Sequence, residues 1–158
     1  MNNSTGIPIL DLLIQHEEAI GSLYKACTIT FPDLAKFWQA FVLEEKAHAD
    51  VLRILATSLK TEKVFLNNRK FNVTGVHTAI DHVNKQKQLV EAGTVTILQV
   101  LAVALDIEQA IVEKDFFEVF ETDSPSMRQE FAALRKHTLA HVERMAAMLK
   151  LVRQQSNI

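Results

Sequence analysis

The sequence has few of the residues that interrupt helices or form covalent cross-links. Its 158 residues include four glycines, three prolines and one cysteine, Cys27. Because glycine and proline favour turns over helix interiors, their scarcity favours long helices over an all-β or disordered chain. A single cysteine excludes a disulfide within the chain and a zinc knuckle built from paired cysteines. With 48% hydrophobic residues, the chain is long enough and apolar enough for one domain spanning residues 1–158.

Strong net charge and long apolar runs are also absent from the sequence. It has 17 basic and 19 acidic residues, and no basic run is interleaved with aromatic residues, which argues against a nucleic-acid partner. The longest apolar run, residues 100–105, is far too short to span a bilayer. The N-terminus lacks the basic and apolar segments of a signal peptide. We therefore expect a cytoplasmic protein that binds neither nucleic acid nor membrane.

A carboxylate and an imidazole stand on an otherwise apolar helical face. Steps of three and four residues from Glu45 give this face as Leu34, Trp38, Phe41, Glu45, His48, Leu52, Leu55 and Leu59. Burying an ionised carboxylate without a partner costs several kcal/mol, so such a placement needs a reason. Glu-x-x-His pointing into a helical core is the spacing of carboxylate-bridged dimetal sites. Glu45 and His48 are therefore candidate metal ligands.

The hydrophobic periodicity predicts four long helices and one short one. The first begins near Pro8 and has Glu17 at the centre of its buried stripe, and the second runs to about residue 59. Residues 60–74 form an irregular crossover, followed by a modest amphipathic helix over 76–92 that Gly93 closes. A long helix over about 95–120 has Glu108 near the middle of its stripe, whereas Glu113 lies about 140° away. The last helix runs from Pro125 to about residue 152.

The second and last long helices match each other position by position. Sixteen residues separate Pro32 from His48, and sixteen separate Pro125 from His141. In this register Thr138 takes the place of Glu45, and His141 that of His48. The chain therefore reads as two related helical hairpins of about 60 residues joined by a long crossover that contains a short helix. An all-α four-helix bundle with one such crossover is the ferritin-like arrangement.

At these residues the sequence resembles the ferritin-like superfamily, most closely the rubrerythrin-type proteins, over nearly the whole chain. The resemblance is carried by three features of the first half: Glu17 followed seven residues later by Tyr24, then Phe31-Pro32, then Glu44-Glu45-Lys46-Ala47-His48-Ala49. It implies metal ligands at Glu17, Glu45 and His48. In the second half it implies ligands at His141 and at Glu108, or at Glu113, which also fits the family's spacing from a glutamate to an aromatic residue through Phe120.

Two departures from the family pattern bear on function. Thr138 stands where the family has a carboxylate, so the chain offers three carboxylates and two imidazoles instead of four and two. A missing negative charge raises the cost of a buried dication, and we expect the second metal to bind weakly. The four-cysteine rubredoxin module of full-length rubrerythrins is absent from the sequence. Electrons for any redox reaction are therefore expected from an external donor.

The resemblance implies a centre of two metal ions, with iron favoured and manganese or zinc as alternatives. Glu45 would bridge the ions, Glu17 and His48 would complete one half, and Glu108 and His141 the other. Such a centre would act on peroxide or O₂, as a rubrerythrin-like peroxidase or a ferroxidase. Tyr24 would hydrogen-bond a ligand carboxylate or act as a redox-active neighbour.

The alternative function is a non-catalytic helical bundle that binds or senses one metal, or whose site is empty. In either case a homodimer is expected.

Other polar residues are expected outside the site. His16 and His137 lie about 100° from the core faces of their helices, which predicts positions at the rim. Glu44 is expected on a solvated face or in a dimer contact. Cys27 is expected at the edge of the first helix, without a role.

Overall fold

The computed structural model describes residues 6–61, 66–67, 71–114, 116–117 and 120–156. Over these residues the chain forms an all-helical bundle, which confirms the predicted class. Its helices are α1 (Gly6–Thr30), α2 (Ala35–Thr61), α3 (Val73–Glu91), α4 (Ile97–Glu113) and α5 (Pro125–Ser156). A 3₁₀ turn, Pro32–Leu34, joins α1 to α2. Two short antiparallel strands, β1 (Leu66–Asn67) and β2 (Glu121–Thr122), tie the crossover to the α4–α5 connection.

Local sequence signals account for several helix ends. Thr96 and Gln99 form a reciprocal capping box at the start of α4: the Gln99 N–H donates to Thr96 Oγ1, and the Thr96 N–H donates to Gln99 Oε1. The side chain of Asn72 accepts from the Gly75 N–H at the start of α3. Gly93, with φ of 68°, follows α3 in the left-handed conformation that glycine adopts without strain. Residues 62–65 and 68–70 of the predicted irregular crossover lie outside the described residues.

Helix α1 is buried on two faces, because α2 covers one side and α3 of the crossover covers another. The prediction that His16 lies at the rim is therefore wrong, because only 2% of His16 is exposed. Its ring packs edge-to-face with the Phe116 ring, and the two ring centroids lie 5.5 Å apart. Burial lowers the pKa of His16. The negative charge of Glu17 opposes this effect, and the positive charge of Lys114 lowers the pKa further. Cys27, expected at the edge of α1, is also buried, and burial raises the pKa of its thiol to about 12.

Helix α4 is shorter than predicted. The expected helix over 95–120 ends at Glu113, and residues 115, 118 and 119 lie outside the described part of the chain. Phe116, Phe117 and Phe120 are all buried, whereas a continuing helix would place the adjacent Phe116 and Phe117 about 100° apart. Phe120 stacks on Phe131 of α5 at 4.9 Å. Because the chain leaves the helix after Glu113, the rings of all three phenylalanines reach the core.

The inward faces of α2 and α5 agree with the predicted periodicity. The buried residues common to prediction and structure are Trp38, Phe41, Glu45, His48, Leu52, Leu55 and Leu59 on α2, and Met127, Phe131, Leu134, Thr138, His141, Met145 and Leu149 on α5. Within the described residues, no helix combines the length and the apolar character that crossing a membrane requires. The bundle thus has a continuous apolar core into which a few polar side chains project.

The capping box at Thr96 gives a test of how α4 is held. Thr96→Ala removes the side-chain acceptor for the Gln99 N–H, and it should lower the free energy of unfolding by about 1 kcal/mol. Urea denaturation followed by circular dichroism measures this. Thr57→Ala is the matched control, because the Thr57 hydroxyl donates to the Arg53 carbonyl within α2 and caps no helix. An equal loss in the two variants would contradict the capping role.

Candidate metal centre

Five of the ionisable residues predicted to face inward meet at one place in the core. Glu17 comes from α1, Glu45 and His48 from α2, Glu108 from α4 and His141 from α5. Each is at most 3% exposed. Four helices therefore bring three carboxylates and two imidazoles out of water together. No stable core gathers such groups without strong mutual compensation.

Glu45 lies between the two imidazoles. Its Oε2 is 3.3 Å from His48 Nδ1, and its Oε1 is 3.0 Å from His141 Nδ1. Each imidazole also faces a second carboxylate: His48 Nδ1 is 3.3 Å from Glu17 Oε2, and His141 Nδ1 is 3.3 Å from Glu108 Oε2. The cluster is therefore two half-sites that share one central carboxylate. Gly21 of α1 packs beside Glu45, since a Cβ built at this glycine would lie 3.4 Å from Glu45 Cβ, an ordinary contact distance.

The imidazoles hold protons tightly in this cluster. Burial lowers the pKa of His48, but hydrogen bonds to Glu17 and Glu45 outweigh burial and raise the pKa to about 10. Burial also lowers the pKa of His141, but the nearby carboxylates of Glu108 and Glu45 outweigh burial and raise the pKa to about 11. Burial and the charge of Glu45 raise the pKa of Glu17 to about 7. Two imidazolium charges thus offset two of the three buried carboxylates, and the raised pKa of Glu17 reduces the remaining negative charge near pH 7.

That balance leaves one acceptor unsatisfied. Glu45 Oε1 is buried and makes no hydrogen bond of acceptable geometry, although His141 Nδ1 is 3.0 Å away. The Nδ1 atom carries a single proton, and Glu108 Oε2 competes for it. A cation with several coordination positions would satisfy oxygens that the imidazole protons do not. Glu45, His48 and His141 each offer a ligand atom, and these atoms lie within 4.8 Å of one another, so the residues fit a metal ion.

Tyr24 orients a candidate ligand on α4. Its hydroxyl donates to Glu108 Oε1 at 2.6 Å, and both side chains are buried. Burial and the charge of Glu108 raise the pKa of Tyr24 well above its usual value, so the phenol stays a donor. This is one of the two roles expected for Tyr24 from the sequence. The bond leaves Glu108 Oε2 facing His141.

Glu44 makes a contact that the sequence analysis does not predict. Its side chain is 39% exposed, and its Oε2 lies 2.6 Å from His141 Nε2. Arg144 donates to both Glu44 oxygens, at 2.6 and 2.9 Å, and its guanidinium lies 4.2 Å above the Phe41 ring. A carboxylate that accepts from Nε2 fixes the imidazole so that Nδ1 faces the cluster. The sequence contains a signal for this, since Arg144 follows His141 by one helical turn.

Burial and contacts differ among three further residues singled out in the sequence: Thr138, Glu113 and His137. Thr138 is buried, but its hydroxyl donates to the Leu134 carbonyl of its own helix at 3.0 Å. Glu113, the alternative to Glu108, is exposed. His137 is exposed, as predicted, and its ring stacks on that of His48 with centroids 5.6 Å apart. Of the two alternatives on α4, the structure brings Glu108 to the cluster and leaves Glu113 at the surface.

Comparison of the chain with models of known protein families, with curated proteins and with solved structures finds no match.

The protonated cluster predicts how the stability of the metal-free protein depends on pH. His48 and His141 have folded-state pKa values of about 10 and about 11, against 6.5 when unfolded, so the folded state keeps protons that the unfolded state releases. Their stabilising contribution is complete below pH 6.5 and is lost as the pH rises through the folded values. The melting temperature should fall by at least about 3 °C per pH unit between pH 7 and 9.

Differential scanning calorimetry in a chelating buffer measures this dependence. His48→Gln should reduce the slope, because one of the two titrating imidazoles is gone. His77→Gln, at an exposed position on α3, is the matched control and should leave the slope unchanged. A melting temperature that stays flat or rises over this pH range would show that the buried imidazoles are neutral.

Proposed function

We propose that this chain is a ferritin-like protein of the rubrerythrin type, whose buried cluster holds two metal ions and reduces peroxide or O₂. The observation that carries the proposal is the position of Glu45. One carboxylate lies between two imidazoles, and each imidazole faces a further carboxylate from another helix. Carboxylates and Glu-x-x-His pairs facing inward from separate helices are the ligand arrangement of dimetal carboxylate bundles.

The donor atoms divide naturally between two ions. Glu17 and His48 would hold one ion, Glu108 and His141 would hold the other, and Glu45 would bridge them. Carboxylate oxygens with imidazole nitrogens suit iron, manganese or zinc, and iron is the ion we propose. His48 and His141 give up their Nδ1 protons to bind, so loading the centre releases protons.

The charge balance makes the two ions unequal. Three carboxylates do not neutralise two dications, and Thr138 supplies no fourth charge. Glu44 partly compensates from outside the centre, because its carboxylate lies 2.6 Å from His141 Nε2. Its charge is shared with Arg144, so the compensation is incomplete. We propose that the ion held by Glu108 and His141 binds the more weakly of the two.

When bound, two ferrous ions would supply the pair of electrons that reduction of peroxide to water requires, each becoming ferric. The protein provides a dry enclosure, with Trp38 and Phe41 fully buried beside Tyr24. Tyr24 hydrogen-bonds Glu108 Oε1, which leaves Glu108 Oε2 free to face the centre. Glu44 hydrogen-bonds His141 Nε2, which directs His141 Nδ1 toward the centre. Reduction of H₂O₂ to two waters consumes two protons and two electrons. We propose that an external donor, a reduced electron-transfer protein, returns these electrons.

One observation favours the second candidate, a bundle that binds or senses a single metal. Among the described residues, the compact group that fits an ion consists of Glu45, His48 and His141. Thr138 directs its hydroxyl to its own helix and away from a ligand role. A centre with one ion, and with no redox turnover, would follow from that smaller ligand set.

Metal content separates the two functions. Protein purified without chelator should contain about two iron atoms per chain and should show a near-ultraviolet absorption band that changes on addition of peroxide. Glu45→Gln keeps the side-chain volume but removes the shared charge, and it should abolish binding of both ions. Glu108→Gln should remove one ion, whereas Glu113→Gln, its exposed counterpart on α4, should retain both.

Elemental analysis of the four proteins, each checked for folding by circular dichroism, gives the result. One zinc per chain, with no response to peroxide, would overturn the enzyme and support the single-metal bundle. Full occupancy in Glu45→Gln would overturn the bridging role of Glu45.

Thr138→Glu tests whether a missing carboxylate is the reason that one ion binds more weakly than the other. The fourth carboxylate should raise the affinity for the weaker ion by at least about tenfold, since one unit of charge at 4 Å is worth about 4 kcal/mol at an effective dielectric constant of 20. In the metal-free protein the same carboxylate adds uncompensated buried charge, so the melting temperature should fall.

Thr138→Gln is the matched control, because glutamine has nearly the same volume as glutamate and carries no charge. It should leave the affinity within about a factor of three of the wild-type value. Competition with a metal-sensitive dye measures affinity, and calorimetry measures the melting temperature. Equal affinities in the Glu and Gln variants would show that position 138 does not face the centre.

A further inference from the structure

A cleft of about 310 Å³ opens where α1, α3 and α4 meet. None of the candidate metal ligands lines it. Its walls are mainly apolar, and the side chains that form them include Val83 of α3, Ile107 and Ile111 of α4, and Phe116 just beyond α4. A concave, mostly apolar site of this size with a few polar groups is the usual form of a small-molecule pocket.

His16 lines this cleft from α1, and it is a polar group without a partner. It is 2% exposed, and its Nδ1 is buried and makes no hydrogen bond. A buried nitrogen with no partner costs free energy that an apolar side chain at the same place would not. The edge contact with Phe116 fills space but satisfies no nitrogen. The His16 ring therefore forms part of the cleft wall, and its unpartnered Nδ1 lies behind the surface that a bound molecule would meet.

The charges at the cleft are separated along α4. Lys114 lies at the same end as His16, because Phe116, two residues further along the chain, packs against the His16 ring. Asp106 lines the cleft eight residues earlier, which is about 12 Å along the helix axis. One end therefore offers an ammonium and an imidazole, and the other end offers a carboxylate. An anionic group is attracted to the first end and repelled from the second.

We propose that this cleft binds a small amphipathic carboxylate. The carboxylate pairs with the Lys114 ammonium beside the His16 ring, and the apolar body lies between Val83, Ile107 and Ile111. A volume of about 310 Å³ has room for roughly ten water-sized groups, which sets the ligand at about ten non-hydrogen atoms. Benzoate and hexanoate have this size and charge. The proposal goes beyond the metal centre and holds whether or not metal is bound.

Titration of the full-length, ¹⁵N-labelled, metal-free protein with benzoate tests the proposal by NMR. Saturable shifts should appear at His16, Ile107, Ile111 and Lys114. Benzyl alcohol, which has the same ring and no charge, should bind at least about tenfold more weakly. Hexanoate should compete with benzoate. Absence of saturable shifts at these residues with both acids, or equal affinity for benzoate and benzyl alcohol, would overturn the proposal.

Variants locate the binding groups. Lys114→Met should weaken benzoate by at least about tenfold and leave benzyl alcohol unchanged. Lys150→Met, at an exposed position on α5, is the matched control and should change neither. Ala110→Leu fills the cleft and should block both compounds. If this variant does not fold, Lys114→Met still decides, because Lys114 is exposed and unaltered benzoate affinity in that variant would contradict the proposed site.

The failure of this proposal is distinguishable from failure of the metal centre. Metal content should be the same in the wild type, in Lys114→Met and in Lys150→Met. The NMR titration needs no metal and reads the cleft directly.

Discussion

The structure depends on compensating the negative charge that Glu17, Glu45 and Glu108 bring into the core. An unpaired carboxylate in an apolar interior is too costly to persist, and here three lie within reach of two imidazoles. Two protons at Nδ1 atoms are the least that holds such a cluster together, and they leave Glu45 Oε1 without a hydrogen bond. A metal ion is the better counter-charge, because it bonds several oxygens at once. The charge compensation within the cluster therefore explains how the fold tolerates buried acids and why the same residues could hold a metal ion.

The helices around the cluster are arranged to keep water out and to fix its outer atoms. Helix α1 is covered by α2 and α3, so Glu17 and Tyr24 are enclosed on both sides. Tyr24 holds Glu108 from the apolar side, and Glu44 holds His141 from the solvent side. These contacts differ in exposure: the Tyr24 bond is sealed, whereas Glu44 and its partner Arg144 remain about 40% exposed. The half of the centre built on α5 is thus the one connected to solvent.

The sequence predicted the class of fold and the inward direction of the polar residues, because helical period alone decides which side chains share a face. Helical period was enough to predict the inward direction of five side chains: Glu17, Glu45, His48, Glu108 and His141. The burial of His16 could not be predicted in this way, since it requires knowing that the crossover helix returns to cover a second face of α1. The end of α4 at Glu113 depends on where three phenylalanines pack, and the contact of Glu44 with His141 depends on side-chain reach between α2 and α5. Each of these is tertiary information.

The covered second face of α1 also connects the centre to the cleft. His16 and Glu17 are neighbours on α1, and Ile107 and Glu108 are neighbours on α4, so the same two helices present one residue of each pair to the cleft and the other to the cluster. Core packing leaves little free volume between such helices, so the packing of α1 and α4 has to suit the apolar cleft and the charged cluster at once.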